Sequence, residues 1–301
     1  MTGETFAISR AVLRVGAAEE ALFFYRDLLG FNAQVLSPGE DTAAAADGAE
    51  PEQVIALSAG DGEPPFLFLH ANPSYQPRPP RTTGLYHLAV LLPGRISLGH
   101  LLRRLLTFRY PLQGASDHHV SEAVYLADPH GNGLELYADR PPSRWRRQGE
   151  MVHMTTQPLD IDDLLRQAAA AGDPGDDWRM PGGTRIGHIH MSVADLDRAE
   201  TFYHRGLGLA VTLRHYPGAR FFAADGYHHH VGTNIWAMVD RGPTPDDAFG
   251  LGSTTFAMTA SGMKEAAARL EKLGFPVTPR NSGWAVRDWD GNRFYLQPLQ
   301  R

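Results

Sequence analysis

Along several short stretches the apolar positions recur every second residue, the pattern of a strand with one face in a core and one face free for other work. In residues 85–92 (LYHLAVLL), Leu88, Val90 and Leu92 form the apolar face, which leaves His87 on the other side with Ala89 and Leu91. In 186–193 (IGHIHMSV), Ile189, Met191 and Val193 are apolar, while His188, His190 and Ser192 share the opposite face. In 133–138, Leu134 and Leu136 join the apolar layer, so Glu135 and Tyr137 point with the polar set. Tyr125, between Val124 and Leu126 on the preceding run, points the same way. A fifth run, 227–236 (YHHHVGTNIW), carries Val231 and Ile235 on its helix-facing side, which turns His228, His230, Asn234 and Trp236 toward the cavity.

These runs belong to a repeat. Residues 10–31 (RAVLRVGAAEEALFFYRDLLGF) align without gaps with 188–209 (HIHMSVADLDRAETFYHRGLGL), at a constant offset of 178. Each copy reads as a strand, a turn and an amphipathic helix carrying a Phe-Tyr pair before a Leu-Gly stop. Residues 128–136 (DPHGNGLEL) match 288–296 (DWDGNRFYL) at an offset of 160, with a Gly-Asn turn between two strands. The chain therefore divides into four βαβββ modules at 6–72, 84–140, 184–240 and 250–300. A connector over 141–183 holds a short helix near 161–171, and an Ala-, Gly- and acid-rich insertion at 38–51 is expected to be poorly ordered. The fold class is α+β, with two open barrel-like sheets.

Two imidazoles and one carboxylate on a common face form the 2-His-1-carboxylate set, which leaves adjacent positions open on iron(II). His87, Glu135 and His188 are the expected ligands. Each alone reads more simply as a core histidine or a strand carboxylate, but the repeat supplies a control. The equivalent positions in the other modules are Arg10, the 252–255 stretch and Tyr295, so ligands survive only in modules two and three. Pairing two with three joins all three ligands in one site and leaves one and four as a metal-free partner unit. Proton transfer near neutral pH is best served by an acid–base imidazole. His230 is the candidate, with His228 second, and Tyr125 would stabilise an oxyanion. Asn234, Trp236, His118, His190 and Tyr137 are the expected substrate contacts.

Composition narrows the choice. The 301 residues contain no cysteine, so any metal must rest on nitrogen and oxygen ligands. Hydrophobic residues at 43% and charged residues at 21% suit a soluble globular protein, with no membrane span and no secretory signal, and a cytoplasmic location is expected. A net charge of -6 gives no footprint for nucleic acid. A homo-oligomer is compatible with all of this.

The segments GLYHLAVLLPGR (84–95), ASDHHVSEAVYLADPHGNGLELYADRP (115–141), RIGHIHMSVADLDRAETFY (185–203) and GYHHHVGTNIWA (226–237) together resemble the CatE-like catechol 2,3-dioxygenases of the vicinal oxygen chelate superfamily, over nearly the whole length. The resemblance implies extradiol cleavage of a small aromatic diol with O₂ to a muconic semialdehyde, on Fe(II) or Mn(II) held by His87, His188 and Glu135. It also implies a catalytic histidine at His230 and a tyrosine at Tyr125. In the best-known members the working site lies in consecutive modules near the C-terminus, whereas here module four lacks the ligands. Two rivals share the architecture, a glyoxalase-type isomerase or epimerase and a metal-free small-molecule binding protein.

Overall fold

In the computed structural model, which describes residues 4–37, 51–149, 151–280 and 282–299, the strand, helix and three-strand unit occurs four times. The insertion expected to be poorly ordered lies, up to residue 50, outside the described residues. Unit one has strands Phe6–Val15, Asn32–Leu36, Gln53–Ser58 and Leu67–Ala71, and unit two has Gly84–Leu91, Gly114–Asp117, Ser121–Ala127 and Gly133–Asp139. Unit three has Arg185–Ser192, Ala210–Tyr216, Ala219–Ala223 and Val231–Asn234, and unit four has Gly250–Met258, Val277–Arg280, Gly283–Arg287 and Arg293–Pro298. In units two and four the helices are Arg95–Thr107 and Ala260–Lys272. In units one and three a short helix (Ala18–Leu22, Leu196–Glu200) continues as a π-helical turn over Phe23–Leu28 and Thr201–Gly206.

The strands form two curled, open sheets. Units two and three, with the short connector strand Gln157–Pro158, make a nine-stranded sheet, joined where Gly84–Leu91 runs antiparallel to Arg185–Ser192. Units one and four make an eight-stranded sheet, joined through Phe6–Val15 and Gly250–Met258. The pairing is the one inferred from the loss of ligand residues in units one and four. One face of each sheet is sealed by helices. Leu88, Val90, Leu134 and Leu136 share a buried cluster with Leu98, Leu101 and Leu105 of the Arg95–Thr107 helix, so the opposite, concave face is left for the site.

The two repeated motifs turn out to touch each other. Asp128 accepts hydrogen bonds from the N–H of His130 and Asn132 and from Asn132 Nδ2, at 2.8–2.9 Å, which closes the turn. The Tyr25 hydroxyl of unit one donates to the same carboxylate of unit two at 3.0 Å. In the second half Tyr203 reaches Asp288 in the same way at 3.3 Å, and burial pushes that carboxyl up to about 7. The Phe-Tyr pair and the Gly-Asn turn thus tie unit one to two and three to four, across the two sheets.

Between the halves, helix Ile161–Ala170 agrees with the expected one and is capped by Asp160, whose side chain accepts from Asp163 N at 2.9 Å. It lies on Arg95–Thr107, where any Cβ on Gly99 would overlap Ala168. No helix among the described residues is long and apolar enough to cross a membrane.

Candidate metal centre

One row of the register builds the site. Tyr125 opposes Glu135, Glu135 opposes Ala89, and Ala89 opposes His188, across four adjacent strands. Directly paired residues share a face, and neighbouring strands lie about 4.8 Å apart. The row therefore puts a phenol, a carboxylate and an imidazole on the concave side, and the small Ala89 between them lets Glu135 and His188 meet above it. His87, two residues earlier on the same strand, shares that face and pairs with His190.

His87 Nε2 lies 2.9 Å from Glu135 Oε2, His188 Nε2 lies 3.1 Å from the same oxygen, and the two nitrogens are 3.4 Å apart. Metal–ligand bonds of about 2.1 Å place neighbouring ligand atoms about 3.0 Å apart at right angles and about 3.4 Å apart at the tetrahedral angle. The three donor atoms stand at that spacing, so the residues fit a divalent ion. All three are buried, at 6%, 3% and 1% exposure, where an anion needs compensation. Burial alone would raise the Glu135 carboxyl, but His188 and His87 more than offset it and hold it well below the usual range. Burial brings His188 down to about 4 against the pull of Glu135, so at neutral pH the site offers an ionised carboxylate and a neutral imidazole with its lone pair available.

The triad opens into a cavity of about 890 Å³. Tyr125 lines it, and the Tyr125 phenol is kept protonated by burial and then by the Glu135 charge. Its hydroxyl lies 2.7 Å from His118 Nε2, while His118 Nδ1 lies 2.6 Å from the Thr155 carbonyl. A carbonyl only accepts, so His118 carries a proton on Nδ1, and the Tyr125 hydroxyl stands within hydrogen-bond reach of both His118 Nε2 and the Glu135 carboxylate. His190 also lines the cavity, and no partner is found for its buried Nε2 among the described residues. Trp236 borders the mouth, half-exposed, with its indole N–H donating to the Pro217 carbonyl at 2.9 Å.

Four expected residues stand elsewhere. The expected alternation does not run through the three histidines, because the strand begins only at Val231 and 224–230 is an irregular turn in which period two does not hold. His229 consequently lines the cavity, its ring centroid 4.1 Å from that of His188. His230 lines a separate cavity of about 300 Å³ beside Phe6, and His228 is wholly buried behind the site. Asn234 does not line the cavity, and its Oδ1 accepts from Trp236 N at 3.2 Å. Tyr137 faces the concave side yet lies beneath it, fully buried, its hydroxyl 2.7 Å from that of Tyr227. The signal that would have found His229 is the tripeptide itself, since a bend in a run of three histidines turns a different member inward. The cavity also takes residues that no strand pattern marks, Arg78 from the link between units one and two and Met154–Thr156 from the connector.

Gly187 makes room for Tyr137, because a Cβ there would overlap the phenol. Gly187→Ala is expected to destabilise the protein by about 1–3 kcal/mol, measured as a lower urea midpoint, and an unchanged midpoint would show that the floor of the site yields freely.

The Glyoxalase/Bleomycin resistance protein/Dioxygenase superfamily model matches residues 7–136 and 185–296. A Bacillus subtilis protein named catechol-2,3-dioxygenase is 40% identical over 288 residues, covering 93% of both chains. Among solved structures, one from Bacillus subtilis aligns with 99% of this chain and 87% of its own, at a TM-score of 0.63 and 13% identity. Glyoxalase I from Zea mays aligns with 98% of this chain and 92% of its own, at a TM-score of 0.57 and 13% identity, which speaks for the fold alone. Family match and close relative together establish that the chain belongs to the Glyoxalase/Bleomycin resistance protein/Dioxygenase superfamily.

Proposed function

We propose that the protein is an iron(II)-dependent extradiol dioxygenase that opens a catechol ring beside its hydroxyls. The observation that carries this reading is the convergence of His87, Glu135 and His188 at ligand spacing on the wall of the cavity, in a chain 40% identical to a catechol-2,3-dioxygenase. An iron(II) ion held by the three side chains would supply adjacent positions for both catechol oxygens and for O₂, and a route for electrons from ring to oxygen. Both atoms of O₂ enter the product, so no external reductant is needed. Manganese(II) suits the same donors.

The protein's own part is positioning and proton movement. His229, rather than His230, stands at the cavity wall beside His188 and is the acid–base residue of this reading: it takes a proton from a catechol hydroxyl and returns it during ring opening. Burial holds its imidazole well below the ordinary value, and neighbouring histidines push it further down, so the ring is neutral and ready to accept. Tyr125 keeps its proton and offers a hydroxyl on the side of Glu135. His190 presents its unpartnered nitrogen to a polar group of the substrate. Phe221 and Tyr86 give the cavity apolar surface against which an aromatic ring can pack.

The test is direct. Protein purified without oxygen and loaded with iron(II) should turn a catechol solution yellow on admission of air, consuming one O₂ per ring opened. Absence of O₂ uptake across a panel of catechols would refute the proposal, and turnover of a glyoxalase-type substrate with nickel or cobalt under nitrogen would replace it with an isomerase.

A further inference from the structure

Behind the cavity a hydrogen-bonded chain leads from the protein surface to His229. His228 Nε2 lies 2.8 Å from Asp139 Oδ1, and His228 Nδ1 lies 2.8 Å from His229 Nδ1. The second Asp139 oxygen accepts the Tyr227 hydroxyl at 2.8 Å. His228 is fully buried, with its ring between Tyr227 and Trp145 at centroid distances of 4.0 and 5.1 Å. Asp139, by contrast, borders a charged surface cleft of about 440 Å³ together with Arg140, Arg95 and Glu122. Only the His229 end of this chain reaches the cavity beside the metal ligands.

The direction of each bond follows from donor and acceptor chemistry. A carboxylate only accepts, so His228 carries a proton on Nε2. A neutral His228 then has a bare Nδ1, which can only accept, and His229 must donate from its own Nδ1. That leaves the lone pair of His229 on Nε2, on a side chain that lines the cavity. Without the relay no hydrogen bond at Nδ1 would select one neutral tautomer of His229 over the other.

We infer that Asp139 and His228 are positioning residues, which fix the orientation and tautomer of His229 so that its Nε2 is the proton acceptor in the cavity. The inference rests on the ring-cleaving reading for its consequence in turnover, but the tautomer can be measured without it. Neither residue hydrogen-bonds to the metal donors, and the hydrogen bond that ties the pair to the cavity is the one between His228 and His229.

The experiment has two arms. In metal-free protein with ¹⁵N-labelled histidine, NMR should show His229 Nε2 unprotonated and Nδ1 protonated in the wild type, and a mixture of tautomers in Asp139→Ala. In iron-loaded protein, Asp139→Ala should lower kcat about 10- to 100-fold, with the KM for catechol and the iron content unchanged. Asp139→Glu should restore part of the loss, as should added formate, since the cleft leaves the vacated place open to a small carboxylate. A wild-type His229 protonated at Nε2 would overturn the inference whatever the variants do. So would an Asp139→Ala protein with the wild-type tautomer and wild-type kcat. If no catechol is cleaved but the NMR result holds, the relay stands and the reading of the reaction fails instead.

Discussion

Glu135→Ala is expected to yield a folded protein that no longer retains iron. The carboxylate is the single anion among the three donors and the one atom set close to both imidazole nitrogens, 2.9 Å from His87 and 3.1 Å from His188. Binding free energies of tightly held divalent ions, shared over their ligands, amount to about 3–4 kcal/mol for each, so its loss weakens binding on the order of 10²–10³-fold. The fold should survive. Removing the carboxylate costs two hydrogen bonds but also ends the desolvation of an ion that is 3% exposed. Two measurements check this: metal analysis of protein purified without oxygen, and thermal unfolding with and without added iron(II). The wild type should unfold at a higher temperature with the ion and the variant should not, because only a ligand that binds the folded state shifts that equilibrium. Stoichiometric iron in Glu135→Ala would move the centre elsewhere.

Acid should unfold the metal-free protein at a pH where most carboxylates are still charged. Burial pushes His188 down to about 4 and His230 to about 3, and holds His190 and His229 well below the ordinary histidine value. An unfolded histidine titrates near 6.5. Below that pH the unfolded chain binds a proton at each of these four positions and the folded chain does not. Stability is therefore complete above about pH 6.5 and falls as the pH falls, until the folded rings themselves protonate, near 4 for His188 and near 3 for His230. At pH 5.5 an unfolded histidine has bound its proton while these buried rings have not, so each group costs roughly 1 kcal/mol and the four together remove several kcal/mol, comparable to a small domain's whole net stability. Glu135 adds a loss of the same sign at lower pH, since its depressed carboxyl favours the folded state only above the ordinary carboxylate range. Urea midpoints from pH 8 to 5 should fall steeply below 6.5, and His230→Gln should flatten the curve by about one proton. A midpoint level down to pH 5.5 would mean that the buried rings are charged.

The site shows where reading a chain succeeds and where it stops. Inside regular strands, side-chain direction is local geometry, so sorting residues by parity placed His87, Glu135, His188, His190 and Tyr125 on one face, as the registers have it. The same rule misled at His228 and His230, because parity has no meaning in an irregular turn, and nothing local announces that the strand begins at Val231. Tyr137 obeyed the rule and still missed the cavity, since facing the concave side does not say what lies on top, here the close approach of Gly187 and Tyr227.

Module pairing was also legible, though by subtraction: Arg10 and Tyr295 stand where ligands would be needed, so only the second and third repeats could share an ion. Patterns of residue type along the chain thus decided the four modules, their pairing and the shared face of His87, Glu135 and His188, because each depends on periodicity or on which residues a repeat has kept. The spacing of His87, Glu135 and His188, the turn of His229 rather than its neighbours toward the cavity, and its link through His228 to Asp139 depend on contacts between segments 53 to 101 residues apart. Such contacts arise only when the sheet curls and the packed strands fix every turn against its neighbours, which no local pattern encodes.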